Sequence, residues 1–173
     1  MRIIAGSRKG ARIFAPKGSE TRPTGDRVRE AAFNLIGPVD GAAVLDLFAG
    51  SGAMGLEALS RGAASAVLVE SDREAVRAIE RNVEKLGLGG VTIVRRDVVQ
   101  ALATDRRSYD LILCDPPYGY VDHERLAPYL AEALATDGVL VYETGTREMP
   151  EIQGLRLRTS RTYGSARLTL FQH

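Results

Sequence analysis

Hydrophobic positions from residue 43 onward form short continuous runs separated by segments with helical spacing. Runs rich in Val, Leu and Ile predict strands that are buried on both faces. Helical segments between such strands predict right-handed crossovers and a mostly parallel sheet with helices on both faces. The five runs are AVLDLF (43–48), SAVLVE (65–70), VTIV (91–94), YDLILCD (109–115) and GVLVYE (138–143).

The segment SDREAVRAIERNVEKLGLG shows the helical spacing most clearly. Ser71 and Glu74 are spaced as a capping box, and Gly87 predicts the C-terminal stop. The inner face of this helix should carry Ala75, Val76, Ile79, Val83 and Leu86.

Both ends of the chain depart from this alternation. LRLRTSRTYGSARLTLFQ (155–172) has two extended halves around Gly164-Ser165, which predicts an antiparallel hairpin closing one sheet edge. RIIA and ARIFAP flank GSRKG, which predicts a two-stranded basic hairpin at the start. DRVREAAFNLI (26–36) should form a helix with Asp26 as its N-cap. We therefore predict a seven-stranded α/β fold, with residues 1–24 as an arm and residues 25–173 as the main domain.

Composition restricts the functional classes. The 173 residues, 45% hydrophobic and 26% charged, suit a globular domain. Cys114 is the one cysteine and should be a packing residue, and with two histidines no metal site is expected. No apolar run is long enough for a bilayer span and no leader pattern opens the sequence, so we expect a cytoplasmic protein without membrane contact.

Charge is distributed unevenly. Residues 1–29 hold eight basic and two acidic residues, whereas residues 30–173 hold 15 basic and 20 acidic residues. A basic arm on an acidic body favours binding to a polyanion, although a solvated surface hairpin is the simpler alternative.

LDLFAGSGAMGLEAL (45–59) places Gly50, Gly52 and Gly55 after the first buried strand and at the start of a helix. This G-x-G-x-x-G spacing lets a ligand approach main-chain N–H groups at a helix N-terminus. The spacing suits either a dinucleotide or S-adenosylmethionine. Asp46 favours the latter, because its carboxylate would attract a cationic ligand and repel a pyrophosphate.

Two further acids follow later strands. Glu70 ends the second run, where it can accept hydrogen bonds from ribose hydroxyls; the alternative is a solvated strand end. Asp97 follows the third run, where it could accept from an adenine amino group or could cap the helix beginning DVVQAL. These two interpretations of Asp97 are equally favoured.

LILCDPPYGY (111–120) ends a buried strand on a carboxylate and two prolines. Ligands bind beyond the carboxyl ends of parallel strands, so Asp115 should lie at the crevice that holds the glycine loop. A carboxylate and a proline carbonyl can each accept an N–H from an exocyclic amine and aim its lone pair at a methyl donor, with Tyr118 offering a stacking face. A turn that merely closes the strand is the alternative.

DPPY resembles the motif of S-adenosylmethionine-dependent methyltransferases that act on amino groups conjugated to a planar system. Together with MRIIAGSRKGARIFAP, RPTGDRVREAAFNLI, LDLFAGSGAMGLEALSRGA and YGSARLTLFQ, the chain resembles the RsmD-type bacterial 16S ribosomal RNA guanine-N2 methyltransferases over nearly its whole length. The resemblance implies a Rossmann-like class I methyltransferase fold with an N-terminal β-hairpin extension. It also implies S-adenosylmethionine as cofactor and a monomer acting on 16S RNA in the 30S subunit or its assembly intermediate.

The resemblance and the motifs together define the predicted site residues. The predicted catalytic residues are Asp115, Pro116, Pro117 and Tyr118, with Tyr120 and His123 as weaker candidates at the entrance. The predicted cofactor-binding residues are Thr24, Asp46, Phe48, Ala49, Gly50, Ser51, Gly52, Gly55, Glu70, Ser71, Asp97 and Val98. The predicted RNA-binding residues are Arg2, Arg8, Lys9, Arg12, Arg22, Arg27 and Arg29.

Three other functions are compatible with parts of the sequence. A DNA adenine-N6 methyltransferase shares DPPY, but it normally needs a target-recognition region that we do not find. A nicotinamide-dependent oxidoreductase shares the glycine loop. A non-catalytic RNA-binding module would explain the arm, but it would not need Asp115 beside a glycine loop.

Overall fold

The computed structural model describes residues 1–16, 23–117, 119–120 and 123–173, and only the backbone of Pro23 and Thr24. Residues 17–22, 118 and 121–122 therefore lie outside the described residues, and these include the predicted site residues Arg22 and Tyr118. After a short 3₁₀ helix (Gly6–Arg8), the helices are α1 (Pro23–Ile36), α2 (Ala53–Ser60), α3 (Arg73–Leu86), α4 (Val98–Thr104) and α5 (His123–Ala133). The strands are β1 (Ala43–Leu47), β2 (Ser65–Glu70), β3 (Val91–Arg95), β4 (Tyr109–Cys114), β5 (Leu134–Gly145), β6 (Arg156–Tyr163) and β7 (Ala166–Gln172).

The seven strands form one sheet in the order β3-β2-β1-β4-β5-β7-β6. The first five in this order are parallel, β7 runs antiparallel to β5, and β6 pairs antiparallel with β7 at the edge. The predicted parallel sheet and C-terminal hairpin are both confirmed. Strand order reverses between β1 and β4, so the carboxyl ends of these neighbours flank the crevice where ligands of such sheets bind.

Alternate residues of the central strands pack into different cores. On β4, Leu111 and Leu113 pack with α1 and α2 on one face, whereas Ile112 and Cys114 pack with α4 and α5 on the other. Burial on both faces explains why this strand has a continuous apolar run. Cys114 is a packing residue as predicted, and burial raises the pKa of its thiol.

The N-terminal arm turns back on itself, but its pairing is reduced to one bridge between Arg2 and Arg12 instead of two strands. The two halves are joined by a few backbone hydrogen bonds, such as that from the Ile3 N–H to the Ala11 carbonyl at 2.9 Å, and the arm backbone also bonds to side chains of α2. The Glu57 carboxylate accepts the N–H groups of Ile4 and Ala5 at 2.7 and 3.0 Å, and the Ser60 hydroxyl donates to the Ala5 carbonyl at 2.6 Å.

Helix starts differ from the predicted caps. The first helix begins at Pro23, which suits a first helical position because its missing N–H would have no partner there. Asp26 therefore lies in the first turn and is not the N-cap. The N-cap of α3 is Asp72, which accepts from the Ala75 N–H at 2.8 Å, and not Ser71. Gly87 ends α3 at φ 57° as predicted.

The arm and the main domain share one hydrophobic core. Ile3 and Ile13 are buried in the same cluster as Phe33 of α1 and Leu56 of α2. The predicted boundary at residue 24 falls inside α1; the division into two parts stays a prediction. Among the described residues, no helix has the length and apolar character to cross a membrane.

The docking of the arm depends on Gly6. A Cβ on Gly6, which has φ +80°, would lie 1.7 Å from the Ser60 carbonyl oxygen, whereas a Cβ on Gly10, with φ +82°, would meet no described atom within 4 Å. We expect Gly6→Ala to lower the free energy of unfolding by about 3 kcal/mol or more and Gly10→Ala by about 1 kcal/mol. Urea denaturation of both variants measures the difference. Equal losses would show that φ strain, and not close packing on α2, accounts for the need for glycine.

Candidate active site

A cavity of about 410 Å³ lies at the carboxyl ends of β1, β4 and β5. The residues after β1 and β4 meet in it, as the sequence predicted for the glycine loop and Asp115. The arm and α1 contribute walls that the strand pattern did not indicate. Its principal lining residues are Met1, Pro16, Val28, Arg29, Asp46, Phe48, Gly50, Ser51, Asp115, Pro116, Pro117, Tyr120, His123, Glu143 and Thr144.

The glycine loop adopts backbone conformations that favour glycine. Gly50 has φ 56° and Gly52, the N-cap of α2, has φ 77°. Gly55 is needed for a different reason, because a Cβ there would lie 2.8 Å from Leu68 Cδ2 and 3.1 Å from Asp46 Oδ2. The loop therefore brings the first turn of α2 against β1, with Gly50 and Ser51 facing the cavity.

Asp46 is a buried carboxylate facing this cavity. It is 4% exposed, and its Oδ2 accepts the Gly55 N–H at 2.8 Å. Burial raises the pKa of Asp46 to about 7, the Gly55 N–H opposes that rise, and the charges of Asp115 and Glu70 add to it. A cationic ligand in the cavity would offset this cost, so the site is suited to bind positive charge.

The other predicted cofactor residues after β2 and β3 have local partners. Glu70 accepts the N–H groups of Gly50 and Asp72 at 2.9 and 2.8 Å, which ties the glycine loop to the end of β2. Asp97 is the N-cap of α4 and accepts from the Gln100 N–H at 3.2 Å. Val98 is buried in the core. The helix-cap interpretation of Asp97 is thus confirmed, while the ribose and adenine roles stay predictions.

The segment after β4 both closes the strand and lines the cavity. Asp115 is exposed, and Pro116 and Pro117 lie beside it in the cavity wall. The Pro117 carbonyl accepts the Tyr120 N–H at 3.0 Å, which forms the turn that the alternative interpretation required. The turn therefore supports the site, because it holds the two prolines at the mouth of the sheet.

Aromatic side chains form a connected row along one wall. The rings of Phe48 and Tyr120 meet edge to face with centroids 5.1 Å apart, and Tyr120 meets His123 at 5.3 Å. His123 Nδ1 lies 2.6 Å from the hydroxyl of the buried Tyr142. This row confirms that Tyr120 and His123 line the cavity, and it gives the wall flat surfaces suited to a planar ligand.

Sequence reasoning missed several lining residues. Glu143 ends the apolar run of β5, which is the same signal that identified Glu70 and Asp115, so it could have been found. Met1 and Pro16 carry no such signal, because only the folded arm brings them to the cavity.

The predicted RNA-binding residues separate into two groups. Arg2, Lys9, Arg12 and Arg27 are exposed. Arg29 is 4% exposed and pairs with Asp26 at 2.8 Å and with Glu57 at 3.7 Å. Arg29 is thus a buried ion-pair partner in the cavity wall, and its predicted contact with phosphate stays a prediction.

Arg8 also has an internal role. Its guanidinium donates to the carbonyls of Leu86 and Gly87, the end of α3, where a cation offsets the partial negative charge of the helix terminus.

The sheet order, the glycine loop after β1 and the acid-Pro-Pro turn after β4 define a Rossmann-like α/β protein of the methyltransferase class. The chain belongs to the family described as conserved hypothetical protein 95, whose model matches residues 1–172. The resemblance to the RsmD-type family is confirmed by relatives named ribosomal RNA small subunit methyltransferase D. The one from Escherichia coli K12 is 42% identical over 68% of this chain and 60% of its own length.

Other relatives match over the full length. The provisionally named rRNA methyltransferase YlbH of Bacillus subtilis is 38% identical over 99% of this chain and 98% of its own. The structure of the provisionally named methyltransferase yhhF of Escherichia coli has a TM-score of 0.88 and 33% identity, covering 100% of this chain and 97% of that one. Both matches extend over the N-terminal arm region as well as the main domain.

The raised pKa of Asp46 predicts a pH-dependent stability contribution. The folded state holds this proton more tightly than the unfolded chain, whose value is 3.8, so the contribution is lost as pH rises through about 7. Asp46→Asn removes the charge and keeps an acceptor for the Gly55 N–H. We expect its unfolding free energy relative to wild type to rise by about 3 kcal/mol between pH 4.5 and pH 8.

Urea denaturation at the two pH values provides the measurement. Asp110→Asn is the matched control, because Asp110 is an exposed carboxylate at the start of β4, away from the cavity. If the difference in unfolding free energy between Asp46→Asn and wild type did not change with pH, the raised pKa assigned to Asp46 would be contradicted.

Proposed function

We propose that the protein is an S-adenosylmethionine-dependent methyltransferase acting on the N2 amine of a guanine in 16S ribosomal RNA. The single observation that carries the proposal is that Asp115, Pro116 and Pro117 face the same cavity as the glycine loop and the buried Asp46. The names of the relatives support ribosomal RNA of the small subunit as substrate. We further propose a cytoplasmic monomer acting on assembled or partly assembled 30S subunits.

The charge of the cavity and its accessible main chain suit the proposed cofactor. Asp46 is a buried carboxylate whose cost a cationic group would offset, and Gly50 and Ser51 leave the main chain accessible at the start of α2. We assign Glu70 to the ribose hydroxyls, since an ionised carboxylate has acceptor capacity beyond the two N–H groups it already binds. Asp97 is assigned to the adenine amino group, with Thr24, Ala49, Ser71 and Val98 along the same ligand.

Bound S-adenosylmethionine would supply an electrophilic methyl group. The guanine N2 amine is amide-like and a poor nucleophile, because its lone pair is delocalised into the ring. Asp115 and the Pro116 carbonyl would each accept one of its N–H groups and direct the lone pair toward the methyl carbon. Once methylated, the amine nitrogen would be acidic and would release its proton to water. The protein therefore contributes alignment and fixed charge without needing a strong base.

The target base must leave its stack to reach Asp115. The aromatic row of Phe48, Tyr120 and His123 gives one side of the cavity a flat wall, and we assign Tyr118 a stacking role there. We assign phosphate contacts to the exposed cations Arg2, Lys9, Arg12 and Arg27, and to Arg22. Positive charge on the arm beside a cavity for a nucleobase favours RNA over a small-molecule substrate.

The alternatives are separable by substrate and ligand. A DNA adenine-N6 methyltransferase would transfer methyl to unmethylated DNA. A nicotinamide-dependent oxidoreductase would bind NADH, which the buried Asp46 disfavours because a pyrophosphate would approach a carboxylate. A binding module alone would transfer nothing. Calorimetry with both ligands and transfer assays with both nucleic acids distinguish these outcomes.

Asp115→Ala tests the proposed chemistry. We expect kcat for methyl transfer to 30S particles from a strain lacking the enzyme to fall about 10²- to 10³-fold, as on loss of a positioned hydrogen-bonding group. The dissociation constant for S-adenosylmethionine should change less than about fivefold, because the proposed partner of Asp115 is the amine and not the cofactor. Labelled-methyl incorporation and calorimetry provide the two measurements.

Asp110→Ala is the matched control, since Asp110 is a carboxylate at the start of β4, away from the cavity, whereas Asp115 follows the end of that strand. Full activity of Asp115→Ala would refute the assigned role of Asp115. No incorporation by wild-type protein into any 30S particle would refute the proposed function itself.

A further inference from the structure

Phe14 is the large hydrophobic residue that the arm leaves in solvent. Its side chain is 48% exposed, although the neighbouring Ile13 is buried in the core. The segment from residue 1 to residue 16 carries four basic and no acidic residues. An exposed aromatic ring within a basic segment combines the two features with which single-stranded nucleic acid is bound, a stacking face and positive charge.

The backbone of Phe14 is held by a fully buried amide. Asn82 of α3 accepts the Phe14 N–H at 2.6 Å and donates to the Phe14 carbonyl at 2.9 Å. The same amide donates to the Ser51 carbonyl in the glycine loop at 2.9 Å. Asn82 makes all three hydrogen bonds and has no exposed surface, so the position of Phe14 is fixed relative to the glycine loop.

One cation contacts the ring directly. The Lys85 ammonium lies over one face of the Phe14 ring, 4.8 Å from its centroid, which leaves the opposite face for a base. Arg8 binds the end of the same helix through the Leu86 and Gly87 carbonyls. Arg12, two residues before Phe14, is exposed. Phosphates on either side of a base stacked on Phe14 would therefore meet positive charge.

The ring is also close to the cavity along the chain. Pro16, two residues after Phe14, lines the cavity that contains Asp115, and so does Ser51, the partner of Asn82. A nucleotide on Phe14 would accordingly belong to the same RNA segment as the base in the cavity.

We propose that Phe14 is a stacking residue for an unpaired RNA base that neighbours the methylated guanine. Asn82 fixes its place, and Lys85 and Arg12 contact the flanking phosphates. The inference rests on the proposed function, because it assigns a residue to the same RNA substrate. Among the residues that the structure describes, Met149 and Leu157 are also large, hydrophobic and exposed; they lie outside the basic arm and provide internal comparisons.

A substitution series at Phe14 separates stacking from general apolar contact. We expect Phe14→Ala and Phe14→Leu to raise KM for 30S particles about 5- to 100-fold with kcat nearly unchanged, because stacking needs an aromatic face. Phe14→Tyr and Phe14→Trp should keep KM within about twofold of wild type, since both retain that face. Leu157→Ala, which removes an equally exposed side chain on β6, should leave KM unchanged.

A binding measurement tests the same residue without catalysis. The chain contains no Trp, so Phe14→Trp introduces a single Trp fluorophore at the proposed contact, whose emission can be excited apart from that of the six Tyr residues. Protein-free 16S ribosomal RNA should quench its emission, and Leu157→Trp should respond much less. If wild-type protein transferred no methyl group, the proposed function would fail while quenching would still report whether RNA stacks at Phe14.

Two outcomes would overturn the inference. Equal KM values for Phe14→Ala and wild type would show that the ring does not contribute. A KM for Phe14→Leu equal to that of wild type, with quenching by 30S particles but not by protein-free RNA, would assign the ring to an apolar contact with a ribosomal protein. Thermal melting and S-adenosylmethionine affinity of each variant identify any loss that comes from misfolding.

Discussion

The hydrogen bond between the Gly55 N–H and the buried Asp46 carboxylate is the interaction on which the site depends. It joins β1 to the first turn of α2, and it requires glycine because a Cβ at Gly55 would press on Leu68 and on Asp46 itself. Burying this charge is costly and raises the pKa of Asp46 to about 7. A bound cation would offset the free-energy cost of burying the Asp46 charge, and stability is commonly reduced where function needs an unfavourable group.

Buried polar side chains attach the arm to the main domain. Glu57, with no exposed surface, accepts two arm N–H groups and pairs with Arg61 at 2.7 Å. Asn82 connects the arm to the glycine loop in the same way. Removing either partner would leave a buried group unsatisfied, which makes these contacts specific. The arm that carries positive charge is thereby held beside the cavity.

The parallel sheet explains why distant sequence motifs act together. Strands β1 and β4 are separated by more than 60 residues in sequence, yet they are hydrogen-bonded neighbours from Val44 and Leu111 to Leu47 and Cys114. The residues that follow each strand therefore emerge side by side. Asp115 lies close enough to raise the pKa of Asp46, which places the proposed amine-binding group and the proposed cation-binding group in one electrostatic environment.

The sequence by itself determined the sheet, the hairpin at its edge and the two acids at its mouth. Continuous apolar runs and glycine spacing are local signals that require no knowledge of partners. Helix starts were less determined, because Ser71 and Asp72 are both good N-caps and only the chain path selected Asp72.

Only the tertiary structure decided which cations are free. Arg29 and Arg12 look alike in sequence, but Asp26 and Glu57 bury the first, while the second stays exposed. Likewise, no local pattern could place Met1, Pro16 and Phe14 beside the glycine loop. Their positions follow from hydrogen bonds to α2 and α3, made across more than 50 residues of sequence.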